Sequence, residues 1–413
     1  MILLYWLIGY LILPILPILL HKKAKKNKNY AHNWSERFML GSYQFDNNII
    51  WFHSVSVGET RAMQKMIELM CLNYPNYKIL ITVMTPTGRD TANLLYPECI
   101  VKYVPYDVFH IVNKFLKIYK PLILILMETE LWPTLISLCY KKNIPIVLAN
   151  ARLSNKSFNN YHKIRFFIKP IINKINLILC QDINSKNNFT KLSGIENLSI
   201  TGNTKFDLIS PNITSDFIKL KDKLKDKKIV VFASSRENEE KIFIDLIKDR
   251  YDDILFIIVP RHPERFDIVE NLLLQQKITY QKRTDMEKIE VNIKVLLGNS
   301  MGEMFNYYYL SDIAIIGGSF LNYGGQNPIE SIFLNKPVIF GKHMFNFNDI
   351  ANNIIINNCG LVVENLQDCL LMIEKIYDDN NLYNKMSQNC NKFMQQYVGA
   401  SFKNIQYIRK LIM

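Results

Sequence analysis

The sequence lacks the patterns that mark several large function classes. It has no CxxC pair, no His/Cys cluster at zinc-ligand spacing and no GxxxxGK[ST] loop, so neither a metal centre nor P-loop nucleotide chemistry is expected. Its seven cysteines (Cys71, Cys99, Cys139, Cys180, Cys359, Cys369, Cys390) are odd in number and scattered, several inside apolar runs such as Leu177-Ile-Leu-Cys180. They read as buried thiols in a reducing compartment, not as a disulfide framework. No internal repeat or low-complexity segment appears beyond a richness in Lys and Asn. Acidic residues are outnumbered, 37 against 50 basic, for a formal net charge of +13. That balance points to an anionic neighbour without choosing among nucleic acid, lipid headgroups and sugar nucleotides.

Charge is missing altogether from Met1 to Leu20, and His21-Lys-Lys-Ala-Lys-Lys-Asn-Lys28 follows at once. About 20 apolar residues suffice for a helix to cross a bilayer, although Pro14 and Pro17 argue against a straight one. A cleaved signal peptide would carry its positive charge ahead of the apolar run and a small-residue site behind it. Here the charge comes after, and no A-x-A-like site is present. The positive-inside rule then places Lys22 to Lys28, and the chain downstream, on the cytoplasmic face. The bland alternative is an apolar first helix packed on a soluble body.

With 413 residues, 49% of them apolar and 21% charged, the chain exceeds what one core usually fills and should fold throughout as two domains. From residue 48, short β-branched runs alternate with helix-length amphipathic stretches: Ile49–His53, Ile79–Val83, Leu122–Leu126, Ile144–Leu148 and Leu177–Leu179. After a charged, helix-favouring stretch (Asp216–Lys228) the pattern restarts at Ile229–Phe232, Ile254–Val259, Val295–Leu297, Ile313–Ile316 and Pro337–Phe340. Runs apolar on both faces and separated by helices indicate parallel strands in βαβ units. Two such sheets in series are expected to face each other across a cleft, with ligands beyond the carboxyl ends of the strands.

The strand ends carry the polar motifs. In Ser54-Val-Ser-Val-Gly-Glu59, Gly58 permits a tight strand-to-helix turn and Glu59 falls at a helix start, where the macrodipole keeps a carboxylate ionised, as a base requires. Alone, it reads first as an ordinary first-turn glutamate. Met84-Thr-Pro-Thr-Gly-Arg89 is either a seat for polar groups or phosphate or simply a capped turn. Met127-Glu128-Thr-Glu130-Leu-Trp132-Pro sets two carboxylates beside an aromatic ring, costly as mere packing. Arg152 and Lys156 after the fourth strand suit an anionic acceptor, or are surface cations.

In the second half, Pro260-Arg261-His262-Pro-Glu-Arg265 offers a guanidinium to phosphate or carboxylate. Ser300-Met-Gly-Glu303, Gly317-Gly-Ser319 and Gly324-Gly-Gln-Asn-Pro-Ile-Glu330 add loops whose backbone amides can approach a phosphate, with Glu330 placed to accept from ribose hydroxyls.

These segments, with Asn150-Ala-Arg-Leu-Ser154, Gly202-Asn-Thr-Lys-Phe-Asp207 and Gly341-Lys-His-Met-Phe-Asn-Phe347, occur in one order along nearly the whole chain. Together they strongly resemble the 3-deoxy-D-manno-octulosonic acid (Kdo) transferases of Gram-negative lipopolysaccharide synthesis. The resemblance implies an α/β protein of the GT-B type, two Rossmann-like domains on a central cleft with an N-terminal membrane anchor. It implies transfer of Kdo from CMP-Kdo to the lipid A precursor (lipid IVA) at the cytoplasmic face of the inner membrane; the expected mechanism is an inverting displacement without a metal or other cofactor. Glu59 would be the proton acceptor, and Glu128 and Lys205 the transition-state stabilisers. CMP would meet Pro260, Arg261, Met301, Gly302, Glu303, Asn327, Pro328, Ile329 and Glu330.

The expected layout is an anchor at 1–20, a basic collar and linker at 21–47, an acceptor domain at 48–210, a CMP-sugar domain at 211–390 and a C-terminal helix at 391–413. Expected partners are CMP-Kdo, the lipid A precursor and anionic membrane lipids, but not nucleic acid; the oligomeric state is left open. The chain departs from the family at Ser234-Ser-Arg236-Glu-Asn238-Glu, where a Thr-His and Gly-Glu pattern is usual, at Asn299 in place of Asp, and at Gln326 in place of His. Two rival readings remain: a GT-B enzyme for another nucleotide sugar, such as a UDP-sugar transferase or epimerase, and a basic membrane-tethered binding protein, which would leave the strand-end carboxylates unexplained.

Overall fold

The computed structural model describes residues 1–41, 48–195, 198–209, 212–288, 290 and 292–412. The chain divides into two compact units, Met1–Ile209 with Tyr397–Met413, and Ser210–Gln396.

The first unit is built on β1 (Ile49–His53), β2 (Lys78–Val83), β3 (Ile100–Tyr103), β4 (Pro121–Met127), β5 (Ile146–Ala151), β6 (Leu177–Cys180) and β7 (Ser199–Ile200). All pair in parallel, in the order β3-β2-β1-β4-β5-β6-β7. Alternate residues feed two cores. Ile49, Trp51, Leu80, Leu124, Leu126 and Leu148 join the helices Phe109–Tyr119, Pro133–Lys141 and Arg165–Ile172. Ile50, Phe52, Ile81, Ile125 and Val147 join the helix Gln64–Asn73 and the last helix, Ala400–Ile412. Burial on both faces is why these strands read as unbroken apolar runs.

The second unit holds β8 (Lys228–Ser235), β9 (Ile254–Pro260), β10 (Tyr280–Lys282), β11 (Val295–Leu297), β12 (Ile313–Ile316), β13 (Val338–Gly341) and β14 (Gly360–Val363), in the parallel order β10-β11-β9-β8-β12-β13-β14. The strand order reverses between β1 and β4 in one sheet and between β8 and β12 in the other, the places where such folds bind ligands.

Ten strands coincide with the apolar runs read from the sequence, though β5 starts at Ile146, after Pro145, and runs to Ala151. The four that were not foreseen, β3, β7, β10 and β14, are two to four residues long and stand at or beside a sheet edge. Edge strands bury less, so Lys102 or Gln281 can occupy them and dilute the apolar signal.

The apolar N-terminus is helical from Ile2 to Lys25, the one segment among the described residues long and apolar enough to cross a membrane. A single 3-10 turn, Leu13–Ile15, takes up the backbone bond that Pro14 cannot make.

The last helix belongs to the first unit because the segment ending at Asp207 holds it. The Asp207 carboxylate accepts the backbone N–H groups of Gly399 (2.6 Å) and Ser401, Phe206 stacks on Tyr397, and Asn404 donates to Thr201 Oγ1 at 2.9 Å. Asp207→Ala leaves two buried or half-buried amides without their charged acceptor, at a cost of about 1–3 kcal/mol. Hydrogen exchange should show faster exchange concentrated in Ala400–Ile412; an unchanged rate there would show that Asp207 does not hold the helix.

Candidate functional site

At the switch point of the first sheet, β1 runs through Ser54-Val55 into the helix Val57–Ala62. Ser56 Oγ accepts the Glu59 N–H at 3.2 Å and donates to Glu59 Oε1 at 2.8 Å, while Val55 N–H donates to Oε2 at 2.7 Å. This reciprocal cap fixes the helix start and the carboxylate together. The structural and functional readings of Glu59 are therefore compatible: the cap leaves its side chain only 8% exposed and locks its direction. Gly58 corrects one expectation. Its φ is not positive, and a Cβ there would meet only Ser56 Oγ at 3.8 Å. The turn does not require glycine, and a Cβ there would make only an ordinary contact.

β4 delivers the opposing groups. Glu128 has a left-handed backbone (φ 54°), unusual for a residue with a side chain and costing about 1–3 kcal/mol, and its N–H is tied to Ala149 O at 3.0 Å. Its carboxylate pairs with Lys205 Nζ at 2.6 Å, both side chains being largely buried. Lys205 lies in the 3-10 turn Thr204–Phe206, which Asn150 and Asn203 hold by accepting the N–H groups of Thr204 and Lys205, each at 3.0 Å. Thus Gly202-Asn-Thr-Lys-Phe-Asp207 divides its work: Lys205 enters the site, and Phe206 and Asp207 anchor the last helix.

Glu130 completes the cluster. Trp132 Nε1 donates to its Oε2 at 2.7 Å, and the indole meets the buried His53 ring edge-on, centroids 5.6 Å apart. Burial keeps His53 neutral, its pKa lowered to about 4, while Nδ1 contacts Thr82 Oγ1 at 2.9 Å. Burial also pushes the Glu130 carboxyl up to about 7; Trp132 opposes this, and the negative charges of Glu59 and Glu128 add to it. Glu59 moves the same way: desolvation raises it, the Val55 and Ser56 hydrogen bonds oppose, Glu128 raises and Lys205 lowers. Glu59 and Glu130 thus hold a proton more tightly than in water, beside the Glu128–Lys205 pair.

The neighbouring motifs are tied down. Met84-Thr-Pro-Thr-Gly88 forms a capped turn, Thr85 Oγ1 accepting the Gly88 N–H at 3.1 Å. Arg89 is engaged by the buried Glu36 (2.7 and 3.2 Å), which also holds Lys102 and the Tyr103 N–H. The sequence carries no local signal for that pairing across 53 residues. Ser154 caps the helix Asn155–Lys163, leaving Lys156 exposed near its start.

In the second unit the polar loops follow β11, β9, β8 and β12, four strands adjacent in the sheet. Glu239, fully buried after β8, accepts the N–H groups of Arg236 (3.0 Å), Gly318 (2.7 Å) and Phe320 (3.1 Å), binding the loops across the switch point. Gly317 is needed there, since a Cβ would stand 2.4 Å from Ser234 O. Glu240 forms a two-pronged pair with Arg265 (3.0 and 3.1 Å). In the sequence Glu239 stands out only as the end of the segment Ser234–Glu239 and Glu240 not at all; their shared signal is a carboxylate pair opening a helix after a strand.

Arg261 Nε donates to Gln326 Oε1 at 3.2 Å, joining the β9 and β12 loops. Gly302 (φ 81°) has open space where a Cβ would be, and Met301 is exposed, whereas Glu303 is paired with Arg283 at 2.8 and 3.0 Å. Pro260, Pro328 and Ile329 are buried, so none of the three presents an exposed side chain. Asn327 Oδ1 accepts the N–H of Ile329, the first residue of the helix Ile329–Phe333, at 3.1 Å, and its Nδ2 reaches Glu330 at 3.5 Å. Of the departures, Arg236 lies 4.7 Å over the Tyr323 ring and contacts His262, and Asn299 bonds Thr284 through both its amide atoms.

A family model described as 3-deoxy-D-manno-octulosonic-acid transferase (kdotransferase) matches residues 32–208. A 3-deoxy-D-manno-octulosonic acid transferase from Haemophilus influenzae is 34% identical over 374 residues, 86% of this chain and 86% of its own. One from Rickettsia bellii is 29% identical over 98% of this chain and 99% of its own. Among solved structures, a glycosyltransferase from Rickettsia africae aligns with a TM-score of 0.57 over 89% of this chain and 99% of that one, at 15% identity. A UDP-GlcNAc 2-epimerase from Neisseria meningitidis aligns equally well, at 0.57 and 15% identity over 88% and 100%. At such identity these two establish the fold, two Rossmann-like units of the GT-B type. The chain belongs to the 3-deoxy-D-manno-octulosonic acid transferase family and is a glycosyltransferase.

Proposed function

We propose that this protein transfers Kdo from CMP-Kdo to a hydroxyl of the lipid A precursor (lipid IVA) at the cytoplasmic face of the inner membrane. The first unit takes the acceptor and the second takes CMP. Family membership supports the sugar. The observation that carries the chemistry is the buried, doubly hydrogen-bonded Glu59 at the strand switch point, in one electrostatic cluster with Glu128 and Lys205.

In this scheme Glu59 removes the proton from the acceptor hydroxyl as its oxygen forms a bond to the anomeric carbon of Kdo. The bond from that carbon to the CMP phosphate oxygen breaks in the same displacement, so configuration inverts and CMP leaves with the electron pair. Lys205, oriented by Glu128, meets negative charge developing at the reacting centre, and Arg261 with the Met301–Glu303 and Asn327–Glu330 backbones holds the nucleotide. Positive charge comes from side chains, with no metal in the scheme. The apolar helix Ile2–Lys25 and the lysines that end it keep the enzyme beside a lipid-borne acceptor.

Incubation with CMP-Kdo and the tetraacylated, bisphosphorylated lipid A precursor should add whole Kdo increments to the product mass, and CMP but not UDP should raise Tm. No mass gain, or stabilisation by UDP alone, would contradict the proposal. The cluster also predicts a pH response. Glu59→Gln removes a negative neighbour of Glu130, so the Glu130 carboxyl, held up to about 7, should lose its proton at lower pH, as read from the NMR shift of the labelled carboxyl carbon. An unmoved titration would separate Glu130 from Glu59.

A further inference from the structure

We infer that the first helix does not cross the bilayer but lies in one leaflet, clamped lengthwise to the body, with its N-terminal end on the same side as the folded domains. The inference rests on the membrane association proposed above and adds its geometry.

One stripe of the helix is already occupied by protein. Tyr5 Oη donates to Asp107 Oδ2 at 3.0 Å, Trp6 packs on Phe109 with centroids 4.6 Å apart, Tyr10 stacks on His110 at 5.3 Å and Tyr5 meets Phe167 at 5.7 Å. A Cβ on Gly9 would lie 3.6 Å from Val108 Cγ2, and Ile2 and Leu13 pack against the buried core of the first unit. From Ile2 to Leu13 the docked stripe spans about 16 Å of helix.

The receiving elements belong to the folded body. Asp107 also accepts the N–H groups of Thr134 (3.0 Å) and Leu135 (2.8 Å), which open the helix Pro133–Lys141. The helix Phe109–Tyr119, with Lys120 at its end, carries Lys114, Lys117 and Lys120 exposed. Burying such lysines at the bilayer centre costs about 2.5–3.5 kcal/mol each on insertion scales, so this surface stays at the interface. A crossing helix would carry Met1 about 30 Å away from the interface. The first turns are instead docked beside those lysines, and the Lys22–Lys28 cluster marks the interface at the other end.

The opposite stripe is bare and apolar: Leu3 (71% exposed), Leu4, Leu7, Leu11 (69%), Ile15 and Ile18. Ile164 and Phe166, beside the Phe167 that touches Tyr5, are exposed as well, among Lys163, Arg165 and Lys169. An apolar strip with aromatic and basic margins suits the acyl region and anionic headgroups of a single leaflet.

The test uses the full chain in the inner membrane of a Gram-negative host, labelled with a membrane-impermeant maleimide in inverted vesicles and in spheroplasts. Native Cys71, exposed on the first unit, reports the side of the body. A cysteine in a short Gly-Ser extension ahead of Met1, on a Cys71→Ser background, reports the end of the helix, with Cys71→Ser alone as the blank. Both cysteines should label in inverted vesicles and stay protected in spheroplasts. Labelling of the extension only from the face opposite to Cys71 would overturn the inference and leave the transferase reading intact. Chain that fails to sediment with the vesicles would overturn membrane association as well.

Discussion

One ammonium group, Lys205, pairs with Glu128 and acts on Glu59, and both carboxylates in turn act on Glu130, where β1 and β4 end. Like charges in a partly desolvated pocket repel, and the cluster persists because each member is tied elsewhere. Glu59 is held by its cap, Glu128 by Lys205, and Glu130 by Trp132. The left-handed backbone at Glu128 is tolerated on the same terms, its N–H fixed on β5. Even the last helix serves this centre, since the turn that presents Lys205 continues directly into Phe206 and Asp207, which hold Tyr397 and the start of Ala400–Ile412.

The second unit follows another design. Where the first gathers charge at its strand ends, the second cancels it: Glu239 against backbone amides, Glu240 against Arg265, Glu303 against Arg283. Glu239 takes up the Arg236, Gly318 and Phe320 amides while Glu240 and Glu303 pair with guanidinium groups, and together they hold the loops after β8, β9, β11 and β12. Gly302 is left free to approach a ligand. A rigid cradle of amides beside a few guanidinium groups is what phosphate recognition needs.

The sequence made the buried strands and the strand-end motifs legible because both are local. Alternation between two cores and β-branched runs reveal a parallel sheet, and a carboxylate beside Trp132 is improbable as packing alone. Two things were out of reach. Edge strands such as β10, with the polar run Tyr280-Gln-Lys282, bury too little to show a pattern. Partnerships at long range, such as Glu36 with Arg89 and Arg283 with Glu303, leave no local mark on either residue. Gly58 is instructive in the other direction. Its position suggested a turn requirement, whereas its backbone is not in the left-handed region and a Cβ would fit.

The central claim is that Glu59 acts as the base and is not merely a helix cap. A single-turnover measurement of Kdo transfer by Glu59→Gln, made beside a direct measurement of CMP-Kdo binding, tests it most directly, because glutamine keeps the size and much of the cap while losing the proton-accepting charge. The account predicts binding near the unsubstituted level and a transfer rate lower by about 100-fold or more. Transfer at a near-normal rate would contradict it.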